Sequence, residues 1–125
     1  MTITLTLPWP PSVNHMYGTN RKTGRRFLKP AARQFRDAVW LIAKKSCPGM
    51  APIKSTCRLH IDLYPPDRRI RDTDNYFKAP QDALQAAGVV LNDNQFRRHL
   101  SGDMHDPAPP KGYIVVTLIP LIEGA

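Results

Sequence analysis

Alternation of apolar and polar residues predicts two β-strands, and a stretch rich in β-branched residues predicts a third. The stretches 2–7 and 57–63 alternate strictly, with Ile3, Leu5 and Leu7 on one face of the first, and 113–119 is rich in β-branched residues. Proline follows the first two stretches, at residues 8–11 and at 65–66. Because proline cannot donate to a strand ladder, both strands should end there. A fourth, shorter strand is predicted at 95–100, after a turn at 92–94.

Two helices are predicted between these strands. Phe35, Val39 and Ile42 recur at helical spacing within residues 30–45, and Pro30 suits a first helical position. The second helix should begin after Asp74 and run to Ala87, with Gly88 as its cap. Pro80 lies inside that span, which predicts either a kink or a first turn that is not α-helical.

The remaining segments read as connections. Residues 14–27 are polar and predict a loop or loose hairpin around Lys22-Thr23-Gly24, and residues 105–112 predict a proline-rich loop. Strands and helices in this order predict an α+β fold. We expect one small domain over residues 1–125, with a mixed β-sheet and two main helices.

Charge narrows the function. The chain has a formal net charge of +8 and a pI of about 9.9, which favours a polyanionic partner, either nucleic acid or an anionic membrane surface. Residues 21–45 hold nine Lys or Arg and one acid, whereas residues 62–106 hold eight Asp. A merely basic protein has less reason to gather acids, so this separation favours a nuclease. Cys47 and Cys57 show no ligand spacing, and the N-terminus lacks a signal peptide, as in a reduced cytosolic protein.

The candidate chemistry lies at residues 67–78 and at Asp93. Asp72 and Asp74 are one residue apart, and two carboxylates this close repel unless a cation lies between them. Mg²⁺ or Mn²⁺ prefers such oxygen ligands. Lys78 follows Asp74 by one helical turn, within reach of a metal-bound water or a phosphate. The residues therefore predict a metal-dependent phosphodiesterase that cuts nucleic acid.

Each of these residues also has a plainer interpretation. Asp72 or Asp74 suits a helix N-cap, and Asp93 suits a turn. Lys78 and Asp82 are spaced as a surface ion pair. His60 reads as a surface or lightly bonded histidine that no metal site needs. Trp9 is better explained as a core residue than as a platform for stacked bases.

The combination of motifs resembles one family. It comprises the segment 7–12 with Asn14, then Arg36-Asp37, the acidic segment 67–78, and Asp82-Ala83-Leu84, Gly88, Asp93 and Gln95. These residues, in this order, resemble the RusA family of Holliday junction resolvases. A D-x-D pair alone is far less specific. Two departures are Asn92, where an acid often precedes the metal-binding aspartate, and Pro80.

The resemblance implies a fold, an activity and a site. It implies a RusA-like fold and an Mg²⁺-dependent homodimer, with Mn²⁺ as a substitute, that cuts four-way DNA junctions by paired symmetric nicks during recombination and repair. It implies a cytoplasmic, bacterial or phage-encoded enzyme with no membrane partner. The metal ligands would be Asp72, Asp74 and Asp93, and Lys78 would be the essential lysine.

We expect DNA contacts from the basic residues near the site. These are Arg21, Lys22, Arg25, Arg26, Lys29, Arg68, Arg69 and Arg71, together with Asn75. Two alternatives stay open: a junction-binding protein that does not cleave, and a nuclease for other branched nucleic acids.

Overall fold

A four-stranded mixed sheet forms the centre of the computed structural model, which describes residues 1–121. Its strands are β1 (Ile3–Pro8), β4 (Cys57–Tyr64), β5 (Leu100–Met104) and β6 (Tyr113–Pro120). Two further strands, β2 (Tyr17–Thr19) and β3 (Arg26–Leu28), form a separate hairpin. The helices are α1 (Pro30–Ser46) and α2 (Lys78–Ala86). The sheet order is β1-β6-β4-β5, with β4 and β5 parallel and the other pairs antiparallel. This arrangement is α+β in a single small domain, as predicted. The predicted range of 1–125 includes residues 122–125, which lie outside the described part.

Alternation along the strands separates a buried face from an open one. In β4, Leu59, Ile61 and Leu63 are fully buried, while the residues between them are partly exposed. Phe35 and Val39 of α1 and Leu84 of α2 join the same apolar core. Both helices therefore cover one face of the sheet, and the other face carries His60 and Asp62.

The hairpin expected in residues 14–27 is present as β2 and β3. The two strands pair antiparallel, with Tyr17 opposite Leu28. The turn between them carries Arg21, Lys22 and Arg25 and is exposed.

Pro80 is accommodated by a late helix start. A 3-10 turn spans Thr73–Tyr76, and α2 begins only at Lys78. Pro80 then lies in the first turn, where a backbone N–H has no acceptor within the helix. Of the two outcomes predicted for Pro80, the structure shows a first turn that is not α-helical. At the other end, Gly88 adopts a φ of 76° and ends the helix, as expected.

The strand predicted at residues 95–100 is wrong. Asp93–Phe96 forms a 3-10 turn, and the strand runs from Leu100 to Met104. The side chain of Gln95 explains the difference, since its Oε1 accepts from the N–H groups of Leu91 and Asn92 and its Nε2 donates to two backbone carbonyls. These bonds close a compact turn that an extended strand cannot form.

The helices and the cysteines bear on the class of protein. Within residues 1–121, no helix has the length and apolar character needed to cross a bilayer. Cys47 and Cys57 are free cysteines, in agreement with the expectation of ordinary thiols.

Candidate functional site

Lys78 contacts two aspartates that follow it in the chain, Asp82 and Asp93. It is the first residue of α2, and its Nζ donates to Asp93 Oδ2 at 3.2 Å. The same Nζ lies 3.1 Å from Asp82 Oδ1. The hydrogen bond with Asp82, which partial burial opposes, and the added contact with Asp93 raise the pKa of Lys78. The predicted Lys78–Asp82 pair therefore exists, but within a wider network.

Asp82 anchors that network. Its side chain is only 14% exposed, and its Oδ2 accepts a hydrogen bond of 2.9 Å from the Tyr17 hydroxyl. Burial and this hydrogen bond raise the pKa of Tyr17. The Arg26 guanidinium lies 3.9 Å from the centre of the Tyr17 ring. The basic hairpin is thus joined through Tyr17 and Asp82 to Lys78.

Side-chain hydrogen bonds fix the turn that carries Asp93. Asn92 and Gln95 form a reciprocal capping box across the 3-10 turn. The Asp93 N–H donates to Gln85 Oε1 on α2 at 2.9 Å. This turn presents the Asp93 carboxylate to Lys78, which is more than the turn-forming role that its local composition suggests.

Asp72 and Asp74 flank the start of the other 3-10 turn. Asp72 occupies the N-cap position, but its side chain makes no capping hydrogen bond. Both aspartates are exposed. The capping interpretation therefore gives neither carboxylate a bond, and both remain accessible to a cation.

Arg71 holds the loop that precedes these acids. Its guanidinium lies 2.8 Å from Asp67 Oδ1 and donates to the carbonyls of Asp67 and Arg69. It also lies 5.6 Å from the centre of the Trp9 ring. The Arg71 side chain is only 9% exposed, so the structure shows it in contact with the loop, while Arg68 and Arg69 are exposed.

A groove runs between the proline-rich segment after β1 and this loop. Its volume is about 740 Å³, and Arg69, Asp72 and Asn75 lie along it. Trp9 packs against Tyr76 with ring centres 4.8 Å apart and forms part of the wall. Trp9 is only partly buried against the core, so it combines the packing role that we favoured with access to the groove.

The donor chemistry of the three aspartates suits a hard divalent ion. Ligands of one Mg²⁺ bond at about 2.0–2.1 Å, so its ligand oxygens lie within about 4.2 Å of one another. Among the described residues, the set whose donor atoms lie within 4.8 Å of one another is His60, Asp62 and Asp103, and not the three aspartates. The structure thus pairs Asp93 with Lys78 without gathering Asp72, Asp74 and Asp93. Asp72 and Asp74 are exposed, whereas the Asp93 side chain is 30% exposed and contacts Lys78.

The five basic residues of the hairpin region lie between the end of β2 and the start of α1. Arg21, Lys22, Arg25 and Arg26 are exposed, and Lys29 is partly exposed, at the start of α1. Only Arg26 is tied to the network, through Tyr17. Their contact with DNA stays a prediction.

Sequence reasoning did not place Tyr17 or Gln85 in this network. A signal for Gln85 exists, because Lys78, Asp82 and Gln85 are spaced i, i+4 and i+7 and therefore share one helix face. No local pattern connects Tyr17 to that face, since 65 residues separate it from Asp82. The prediction for His60 also missed its neighbours on the sheet, Asp62 and Asp103.

Comparison with known proteins bears on the family of this chain. The sequence model of the family described as Endodeoxyribonuclease RusA matches residues 8–116. The chain is 40% identical over 94 residues to the crossover junction endodeoxyribonuclease RusA of Escherichia coli K12 and to that of Shigella sonnei, with 75% of this chain and 76% of each relative covered. The protein of the same name from Enterobacteria phage 82 is 42% identical over the same shares. The relatives are thus bacterial and phage proteins.

Proposed function

The chain belongs to the RusA family of endodeoxyribonucleases, and from this membership we propose that it resolves four-way DNA junctions. The proposed enzyme is a structure-specific endonuclease that depends on Mg²⁺, or Mn²⁺ as a substitute, and makes paired symmetric nicks during recombination and repair. One domain over residues 1–125 carries the activity. It acts in the cytoplasm, where its DNA substrate lies, encoded by a bacterium or a phage.

The contact between Lys78 and Asp93 is the structural observation that supports this proposal. It brings a cation of α2 to an acid that lies 15 residues later in the chain. Asp72 and Asp74 lie just before the same end of α2. Three accessible carboxylates and one lysine near one helix start are the groups that phosphodiester hydrolysis requires.

The roles of the residues follow from their chemistry. Asp72, Asp74 and Asp93 would hold the metal ion, which when bound activates water and neutralises charge on the phosphate. Lys78 donates to a phosphate oxygen, where its charge stabilises the negative charge that develops during the attack. Asp82 holds the Lys78 ammonium, and this contact would remain if Asp93 turned to hold the ion. Asp82 is thus a positioning residue.

Phosphate contacts would come from two surfaces beside these groups. The first is the hairpin region with Arg21, Lys22, Arg25, Arg26 and Lys29. The second is the groove with Arg69, Arg71 and Asn75, together with the exposed Arg68 that precedes Arg69. Such contacts depend on charge and not on base identity, so they position the junction without reading its sequence. A homodimer accounts for paired nicks, because a two-fold axis places two identical sites symmetrically on a junction.

Cleavage of a labelled four-way junction tests the proposal. Reactions with Mg²⁺ and with EDTA would run beside a linear duplex of the same sequence. We expect paired nicks on the junction with Mg²⁺, and none with EDTA or on the duplex. Tight binding without cleavage in any divalent metal would overturn the enzyme proposal and favour a junction-binding protein. Cleavage of flaps or forks in preference to junctions would favour the other open alternative.

A matched pair of variants assigns the activity to the site. Asp74→Asn removes one proposed ligand, and Asp106→Asn makes the same change at an exposed aspartate outside the network. We expect Asp74→Asn to abolish cleavage with normal folding, and Asp106→Asn to cleave as the wild type does. Wild-type cleavage by a folded Asp74→Asn variant would exclude the assigned site.

A further inference from the structure

A second cluster of metal-binding residues lies on the open face of the sheet. In the parallel pairing of β4 and β5, Asp62 is aligned with Asp103 and His60 with Ser101. Donor atoms of His60, Asp62 and Asp103 all lie within 4.8 Å of one another. These residues project away from the helices, since the alternate residues of β4 fill the core. The cluster shares no residue with the candidate nuclease site.

The distances within the cluster suit one small cation. His60 Nε2 lies 3.2 Å from Asp62 Oδ1 and 3.3 Å from Asp103 Oδ2. Two ligands of a tetrahedral ion with bonds of about 2.0 Å lie about 3.3 Å apart. His60 therefore already lies at the separation of a neighbouring ligand from each carboxylate, and the two carboxylate donors lie within 4.8 Å of each other.

Hydrogen bonds from outside the three residues orient the donors. His60 Nδ1 is bonded to Ser101 Oγ at 2.7 Å, which turns Nε2 toward the two carboxylates. His105 Nε2 lies 2.7 Å from Asp62 Oδ1, and the His105 ring stacks on Tyr64 with centres 4.6 Å apart. Partners of this kind fix ligand orientation in protein metal sites.

The cluster brings two carboxylates of neighbouring strands together with two imidazoles. Two carboxylates side by side on neighbouring strands repel each other. Only the imidazoles of His60 and His105 contact them among the described residues. An ion between the strands would replace this repulsion with attraction.

We propose that His60, Asp62 and Asp103 form a Zn²⁺ site that joins β4 to the edge strand β5. Imidazole with carboxylate suits Zn²⁺, whereas Mg²⁺ favours sites made of oxygen alone. His105 supports the site by its hydrogen bond to Asp62, and water takes the fourth position. Because all three ligands belong to strands, the bound ion stabilises the sheet edge and takes no part in hydrolysis.

Thermal unfolding and calorimetry of the metal-free full chain test this site. We expect one Zn²⁺ per chain to bind at micromolar concentration and to raise Tm by about 10 °C at one hundred times Kd. Mg²⁺ at the same concentration should give no comparable rise. His60→Gln and Asp103→Asn should each remove the Zn²⁺-dependent rise. Asp103→Asn also removes the repulsion between carboxylates, so its metal-free fold should survive.

Two controls separate this site from the nuclease site and from general surface binding. Asp74→Asn and Asp106→Asn should both keep the full Zn²⁺-dependent rise. Persistence of the rise in His60→Gln and Asp103→Asn would overturn the proposal, as would its loss in Asp74→Asn. Failure of the wild-type chain to bind Zn²⁺ at micromolar concentration would overturn it as well.

Discussion

The Tyr17 hydroxyl donates to Asp82 Oδ2 at 2.9 Å, while the other oxygen of that carboxylate lies 3.1 Å from Lys78 Nζ. One partly buried carboxylate thus serves a residue of the basic hairpin and the proposed catalytic lysine. The Lys78 ammonium therefore has a support that does not depend on Asp93.

Replacement of Asp82 should affect catalysis through Lys78. Asp82→Asn keeps the shape but loses the charge, so Lys78 is held less firmly and kcat for junction cleavage should fall about 10- to 100-fold, with little change in KM. Asp82→Glu should restore part of kcat. Equal losses in both variants with a lowered Tm would indicate a purely structural role. Tyr17→Phe should have a smaller effect in the same direction.

Replacement of Lys78 tests charge at the site itself. Lys78→Gln removes a donor to the developing negative charge, and cleavage should fall by about 100-fold or more. Tm should change little, because the side chain is 46% exposed. The control is Lys45→Gln, an exposed lysine at the end of α1. Cleavage by Lys78→Gln at the rate of the control would contradict the role assigned to Lys78.

Gly102 of β5 packs closely against Phe77, the residue before α2. A Cβ at this position would lie 2.5 Å from Phe77 Cε1 and 2.8 Å from the Ile61 carbonyl oxygen. Gly102→Ala should therefore destabilise the fold by about 1–3 kcal/mol and lower cleavage, since Phe77 precedes Lys78. Denaturant unfolding measures the first effect. Adding Phe77→Leu should recover part of the loss, and strictly additive losses would show that the ring is not the obstacle.

Asp67 should make stability depend on pH. The hydrogen bond from Arg71, reinforced by the Arg69 N–H, lowers the pKa of Asp67. Because the pKa of Asp67 is lower in the folded state than its value of about 3.9 in the unfolded state, the ionised carboxylate stabilises the fold above that pH. This stability is lost as the pH falls through the pKa of the folded state. Wild type should therefore exceed Asp67→Asn in Tm at pH 7, and the two should converge at acid pH. A Tm difference that is the same at both pH values would contradict this.

The hairpin region should govern the salt dependence of DNA binding. Replacing Lys22 and Arg25 by Gln removes two exposed charges, so the slope of log K against log salt should become shallower by about two. The matched control is Lys44→Gln with Lys45→Gln at the far end of α1. An unchanged slope in the hairpin variant would remove these residues from the DNA contact.

Much of the architecture follows from local sequence. Alternation located β1 and β4, and helical spacing located α1, because burying one face of an element imposes the period of that element on its residues. The content of β-branched residues located β6. The strand predicted at 95–100 failed because side-chain hydrogen bonds of Gln95 outweigh local propensity. Its spacing from Asn92 is a capping-box signal that the turn composition obscured.

The sequence by itself determined the fold class, the two acidic segments and the family resemblance, since each depends on residue types at fixed spacings. Only the tertiary structure decided which groups meet. It joined Lys78 to Asp93 and Tyr17 to Asp82, and it aligned Asp62 with Asp103 through strand register. The physical reason is that contacts between distant segments depend on how helices and strands pack, and a local pattern carries no information about that packing.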